Sequence, residues 1–357
     1  MVFGFNGNKG KKVYVGLSGG VDSAVSAALL KRSGYDVTGV FIRIKLEGYP
    51  CPAAEDRLEA MRVAAHLDIP FIEIDLSKEY ESKVFDFSIE EFKKGRTPNP
   101  DALCNREIKF GVFYDFAMKE GADFVATGHY ARQKDAKLYT AIDDTKDQSY
   151  FLWAVPQDHL NKTLFPIGSF RKTKVRRLAK KFGLPNSKRP DSQGLCFLGE
   201  VSLNDMLSRE IHTQPGDVIN EEGEVVGTHE GTMLYTLGQR HGFTLHNTSH
   251  EAEPHFVVAK NIEKNTITVS KNRFPEGAHS TTLTLVAKNW IGEVTPGSYM
   301  ARFRYRQKLI PALLTKDRDS FSVVLKEPHY VPTGQSLVLY KKERCAGGGI
   351  IDTATLE

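Results

Sequence analysis

Two kinds of residue in this chain could do chemistry: a Gly-rich run that could hold phosphate, and thiols that could handle sulfur. The run is Ser18-Gly19-Gly20-Val21-Asp22-Ser23. Two adjacent glycines let phosphate oxygens approach the main chain, whose amides form a concave anion site when a helix follows. Ser18 and Ser23 add hydroxyl donors, and Asp22 is an oxygen ligand that could help orient magnesium. No GxxxxGK[ST] is present, so the lysine that grips the β- and γ-phosphates in kinase-like NTPases is missing and cleavage at the γ-phosphate is disfavoured.

Of the four cysteines, Cys51 lies between two prolines and Cys345 precedes Ala346-Gly347-Gly348-Gly349; both read as structural. Cys104 stands three residues after Asp101, near one helical turn, so thiol and carboxylate could face one site. A helix is expected just after Cys104, which would favour its thiolate, and Asp101 would then serve as a general acid or base. Cys196 lies in the Gly-containing loop 191–197. A lone cysteine is usually just a small buried residue. Two in polar loops point to thiol chemistry. None forms a CxxC pair, so neither a disulfide scaffold nor a structural zinc site is expected.

The formal charge of +4 is unevenly spread: residues 161–190 hold ten Lys or Arg and no Asp or Glu, so the remainder is net acidic. A cationic run on an acidic protein suits a polyanion, nucleic acid above all. No stretch is apolar enough for a membrane span and the first eleven residues lack a signal-peptide core, so a soluble cytoplasmic protein is expected.

The positioning elements follow from periodicity. Apolar runs at 13–17, 37–42, 71–75 and 123–127 alternate with helical patterns at 23–32, 55–67, 80–94 and 108–120. That alternation predicts an α/β fold with a parallel sheet covered on both faces, with ligands beyond the carboxyl ends of its strands. Val175, Leu178, Ala179 and Phe182 form one helical stripe, leaving Lys174, Arg177, Lys180 and Lys181 largely on other faces. From about residue 211 the texture becomes short Gly-punctuated segments, and from about 280 β-branched alternation dominates. Three domains are expected: a catalytic parallel-sheet domain over 1–210, a small central α/β domain over 211–279 and a β-barrel over 280–357.

SGGxDS resembles the PP-loop of ATP pyrophosphatases, which adenylate a substrate oxygen and release pyrophosphate. The wider set of motifs resembles the bacterial tRNA-specific 2-thiouridylases, the MnmA or TrmU family, over essentially the whole chain. These are GLSGGVDS at 16–23, GRTPNPDALCN at 95–105, ATGHYAR at 126–132, KDQSYFL at 146–152, PDSQGLCF at 190–197, YTLGQRHG at 235–242, RFRYRQ at 302–307 and PTGQSLVLY at 332–340. The resemblance implies an adenine nucleotide alpha hydrolase-like N-terminal domain that takes ATP as substrate at Gly16, Leu17, Ser18, Gly19, Gly20, Val21, Asp22, Ser23, Ile42 and Gly128, with magnesium as its cofactor.

It further implies that ATP adenylates O2 of the wobble uridine of tRNA. A persulfide on Cys196 then supplies sulfur, Cys104 acts as the nucleophile, and a Cys104–Cys196 disulfide is left to be reduced. Asn99, Pro100 and Asp101 would meet the target base; His129, Lys146, Asp147, Gln148, Arg304, Tyr305 and Gln335 would meet tRNA. The implied partners are tRNA and a sulfur-donor protein, either a cysteine desulfurase or a persulfide relay protein. Residues 43–50 depart from the acidic, Trp-containing sequence common in the family. A small-metabolite PP-loop ligase would need neither the thiols nor the basic run, and a non-catalytic RNA-binding protein would consume no ATP.

Overall fold

The computed structural model describes residues 8–49, 53–191, 203–246, 253–272, 280–317 and 320–355. Cys51 and Cys196, and with Cys196 most of the loop 191–197, lie outside the described residues.

The first sheet is parallel, in the order β3-β2-β1-β4-β7, from β1 (Lys12–Gly16), β2 (Asp36–Arg43), β3 (Phe71–Asp75), β4 (Phe124–Ala126) and β7 (Thr163–Leu164). Alternation along β1 sends Val13 and Val15 to one face and Tyr14 to the other. The first face packs under helices Val21–Arg32, Ala53–His66 and Lys172–Lys181, the second under the helical segments 77–93 and 100–119. Both faces are therefore covered, as a parallel sheet requires. The chain runs from β1 outward through β2 to β3 and then returns to the far side of β1 as β4. The crevice at that reversal, beyond the carboxyl ends of β1 and β4, is where such sheets bind ligands.

One element starts earlier than expected. The helix anticipated just after Cys104 begins at Pro100, with Asn99 as its N-cap accepting from the Ala102 amide at 3.1 Å, and runs through a π-helical stretch, Asn105–Val112, to Lys119. Proline suits the first helical position, where its missing N–H has no partner to lose, and asparagine is a strong cap. Asp101 therefore occupies the first turn, and Cys104 lies beyond it.

The central part is more sheet than the α/β expectation: β8 (Gly216–Ile219), β9 (Val225–His229), β10 (Phe243–Leu245), β11 (Phe256–Asn261) and β12 (Thr266–Ser270) stand in the order β10-β9-β8-β12-β11 around Val218, Tyr235, Val257, Ile267 and Val269. Helix Leu203–Glu210 leads into it and packs on the first domain through Met206, Leu207 and Ile211.

The C-terminal strands are β13 (Ser280–Trp290), β14 (Gly297–Arg302), β15 (Ile310–Asp317), β16 (Ser320–His329), β17 (Ser336–Lys341) and β18 (Arg344–Thr355). They close into a six-stranded barrel through β13–β18 pairing. A hairpin from much earlier in the chain, β5 (Ala131–Lys134) and β6 (Lys137–Thr140), extends the barrel sheet by pairing Leu138 with Cys345 and Tyr139 with Arg344. The barrel is thereby fastened to the residues that directly follow Gly128 and His129.

Candidate active site

Between β1 and the helix Val21–Arg32 the Gly-rich loop 18–23 is held by its own serines. The Ser18 amide donates to Ser23 Oγ at 3.2 Å, and Ser23 Oγ donates to the Gly20 carbonyl at 3.1 Å. Gly20 caps the helix in extended conformation with no side-chain hydrogen bond to the first-turn amides, which leaves them available to an anion. Two glycines are required by their surroundings. Gly19 has φ +74°, and a Cβ there would lie 2.5 Å from the Asp56 carbonyl oxygen. A Cβ on Gly128 would stand 2.7 Å from the Ser23 nitrogen, so only glycine lets the end of β4 come this close to the helix start. Leu17, Val21 and Ile42 are buried, Leu17 N–H bonding the Val40 carbonyl at 2.8 Å, and so shape the loop from beneath.

Beside the loop stands a charge cluster whose centre the sequence did not single out. Lys172, at the start of helix Lys172–Lys181, places Nζ 2.9 and 2.7 Å from the two Asp22 carboxylate oxygens and 2.8 Å from Asp191 Oδ1. Asp191 is also met by Lys146 at 2.8 Å and by Arg176. Burial alone would raise the Asp191 pKa, but the hydrogen bonds from Lys146 and Lys172 outweigh it and hold the carboxyl well below the usual range. Tyr130 donates its hydroxyl to Asp22 Oδ1 at 2.9 Å; burial and the Asp22 charge raise its pKa, so it stays a donor. The cationic run is thus divided: Lys172, Arg176 and Arg189, the last pairing with Asp56, turn inward, and only part of it is left for a polyanion.

Asp22 belongs to the loop itself and shares Lys172 with Asp191. No group of three or more His, Cys, Asp or Glu side chains suited to a metal occurs among the described residues. That donor set fits magnesium held mainly by nucleotide phosphates and one protein carboxylate.

Residues 146–152 join this cluster to the helix that carries Asp101 and Cys104. Lys146 reaches Asp191, and Gln148 Oε1 accepts from the Tyr130 amide at 2.9 Å. Tyr150 donates to Gln335 Oε1 at 3.0 Å, and its hydroxyl also meets the Asn99 side chain. The Phe151 carbonyl accepts from Asn105 at 3.1 Å, and the Phe151 ring packs 4.6 Å from that of Tyr305. Asn99, Gln148, Tyr305 and Gln335, far apart in sequence, are thereby brought into one network. Arg304 donates to the Leu237 carbonyl at 2.7 Å, tying barrel to central sheet.

Other expected residues are placed less openly. Asp147 is buried: it accepts from the Ala141 and Ser149 amides at 3.0 and 3.2 Å and pairs with Arg302, organising its own turn. His129 is buried, hydrogen-bonded to Thr127 Oγ1 at 2.8 Å, with the Phe110 and Phe165 rings nearby. Burial, helped by the Lys109 charge, drives its pKa well below the ordinary 6.5 and keeps it neutral. Cys104 is 0% exposed and belongs to the apolar layer with Ile108 and Phe113. Cys345 is equally buried in the barrel and burial pushes its thiol up to about 12, in keeping with a structural role.

Three family models tile the chain: the tRNA methyl transferase HUP domain over residues 11–200, the tRNA methyl transferase PRC-barrel domain over 204–271 and the aminomethyltransferase beta-barrel domain over 280–351. Relatives match almost end to end. The tRNA-specific 2-thiouridylase MnmA of Bacillus licheniformis is 42% identical, covering 96% of this chain and 95% of the relative. The chain belongs to the tRNA-specific 2-thiouridylase family. The MnmA proteins of Enterococcus faecalis and Staphylococcus aureus are 40% and 41% identical, each covering 97% of this chain and 96% of the relative. Among the described residues no helix is long and apolar enough to cross a membrane.

Proposed function

We propose that this 2-thiouridylase family member replaces O2 of the tRNA wobble uridine with sulfur in two stages that share one crevice. ATP binds with its phosphates on Ser18–Ser23, and uridine O2 attacks the α-phosphorus, expelling pyrophosphate. Lys172 neutralises charge developing on the phosphates, a task for a preorganised cation. Asp22 is the residue that would hold magnesium here, and the ion would supply charge neutralisation for the departing pyrophosphate. The adenylated oxygen is then a good leaving group. The terminal sulfur of a Cys196 persulfide, loaded by a sulfur-donor protein, is delivered to C2, and AMP departs. In one route the Cys104 thiolate attacks the inner sulfur of the persulfide and frees hydrogen sulfide, which displaces AMP from C2. In the other Cys104 adds to C2 as AMP leaves, the persulfide displaces it, and the freed Cys104 thiolate attacks the Cys196 sulfur to release the thiocarbonyl. Both routes leave Cys104 and Cys196 joined as a disulfide that a reductant must open.

The supporting observation is the bridge formed by residues 146–152. It runs from the charge cluster at Asp22 to Asn99, which caps the helix carrying Asp101 and Cys104, so a nucleotide on the loop and a base at the helix would share one frame. Asp101 and Cys104, three apart on that helix, would serve as acid or base and nucleophile. Because Cys104 is fully buried, tRNA has to uncover it. The test is the nucleotide product: unmodified tRNA should stimulate release of AMP and pyrophosphate in equal amounts. Release of ADP and phosphate would reject adenylation.

A further inference from the structure

Lys260, on β11, turns its ammonium into the protein. Nζ donates to the Tyr235 carbonyl at 2.6 Å and to the Gly95 carbonyl at 3.4 Å, and no acidic side chain among the described residues forms an ion pair with it. A partly buried ammonium without a counter-charge is costly, and an apolar side chain of the same length would fill this space at less cost. What the cation provides is a connection. Tyr235 opens the segment 235–242 of the central unit, and Gly95 opens the segment 95–105 that leads to the helix at Pro100.

Neighbouring contacts grip Gly95, Arg96 and Thr97. Ile262, just past β11, lies directly on Gly95: a Cβ there would be 2.0 Å from Ile262 Cδ1. Thr97 Oγ1 and Thr236 Oγ1 are 3.4 Å apart. On the barrel side the Thr97 amide donates to the Thr333 carbonyl at 2.8 Å and Arg96 pairs with Asp352 at 3.3 Å, while Glu91 of the N-terminal domain meets Arg96 at 2.7 Å. Residues 95–97 are thus held by both downstream domains only two residues before Asn99.

We propose that Lys260 is a positioning residue for thiolation: through Gly95–Thr97 it fixes the Asn99 cap and the helix bearing Asp101 and Cys104 in the orientation that receives the target base. This rests on the reading of Asn99–Asp101 as the base-contacting segment. The central sheet then acts in the chemistry through one hydrogen-bonded cation, without touching substrate.

The test uses the full-length Lys260→Met protein, measuring kcat and KM for tRNA in 2-thiouridine formation, ATP affinity without tRNA, and Tm. Lys260→Met is expected to lower kcat by about tenfold to a hundredfold, as ångström-scale misplacement near a reacting centre does. KM for tRNA and ATP affinity should stay at wild-type values, Tm should not fall, and Lys260→Arg should restore most of kcat. Wild-type kcat in Lys260→Met overturns the proposal. A kcat loss matched by losses of ATP affinity and Tm also overturns it, since that marks general structural damage. Should Lys260→Met not fold, Ile262→Ala loosens the same grip on Gly95 and must lower kcat alone; unchanged kcat there is equally fatal. Asp101→Asn separates the two failures. If it loses activity while Lys260→Met does not, the positioning role is rejected and the base-contact reading stands; wild-type activity in Asp101→Asn rejects that reading itself.

Discussion

Replacing Gly128 with alanine would add one methyl group where the structure has no room for it. The new Cβ would lie 2.7 Å from the Ser23 nitrogen, 2.9 Å from the Asp22 carbonyl carbon and 3.0 Å from the Ser23 Cα, all backbone atoms. Neither side yields easily: β4 is paired along β1, Val13 facing Phe124 and Val15 facing Ala126, and the helix is packed through Ala24, Ala27 and Ala28. Relief requires roughly half an ångström or more of backbone movement at the phosphate loop, and overpacking of this kind costs about 1–3 kcal/mol. If that displacement falls on the amides that would hold phosphate, ATP affinity weakens about tenfold to a hundredfold, since about 1.4 kcal/mol is a factor of ten. Calorimetric titration with ATP, alongside thermal unfolding, measures both effects. Gly121→Ala is the control: φ is +82° and nothing lies within 4 Å of the added Cβ, so it costs stability through backbone strain while ATP binds as before. Wild-type ATP affinity in Gly128→Ala, or an equal loss in Gly121→Ala, would refute the reasoning.

Other consequences are as direct. Lys172→Met should leave Asp22 and Asp191 facing each other without their shared cation, lowering the rate of pyrophosphate release by about a hundredfold, on the scale of removing one preorganised electrostatic group; single-turnover release of pyrophosphate reads it. Cys104, being fully buried, should resist iodoacetamide in the protein alone and become alkylated when unmodified tRNA is added, as mapped by peptide mass spectrometry; equal labelling with and without tRNA counts against uncovering by tRNA. Burial lowers the Lys260 pKa from the ordinary 10.5 to about 8, so the unfolded chain binds the proton more tightly and stability rises as pH climbs from 8 toward 10.5. The rise is worth up to roughly 3 kcal/mol and should be absent from denaturant unfolding of Lys260→Met.

Much of this was legible in local pattern. The Gly-rich turn at 18–23 lies between a strand and a helix as its pattern predicts, and the parallel sheet needed only alternating apolar runs and helical stripes. The helix start at Pro100 was also written in the sequence, as Asn99 before Pro100, but Cys104 drew the boundary toward itself. Long-range pairing was not legible. Nothing local in Lys137–Thr140 announces that it will lie along β18, because its partner is two hundred residues away. Lys172 was hidden for the same reason, one lysine in a run of ten cations until folding set it between Asp22 and Asp191. Asp147 and His129, which the resemblance assigns to tRNA, are buried and hydrogen-bonded to their own neighbours, an arrangement that depends on closure of their turns.

The central claim is that ATP activation and two thiols together make 2-thiouridine. Purified protein, ATP, magnesium, a persulfide donor and unmodified tRNA should yield 2-thiouridine in the digested tRNA by mass spectrometry, and Cys104→Ser and Cys196→Ser should each abolish it while leaving ATP binding intact. Absence of 2-thiouridine with the wild-type protein, or its persistence in either serine variant, would contradict the account.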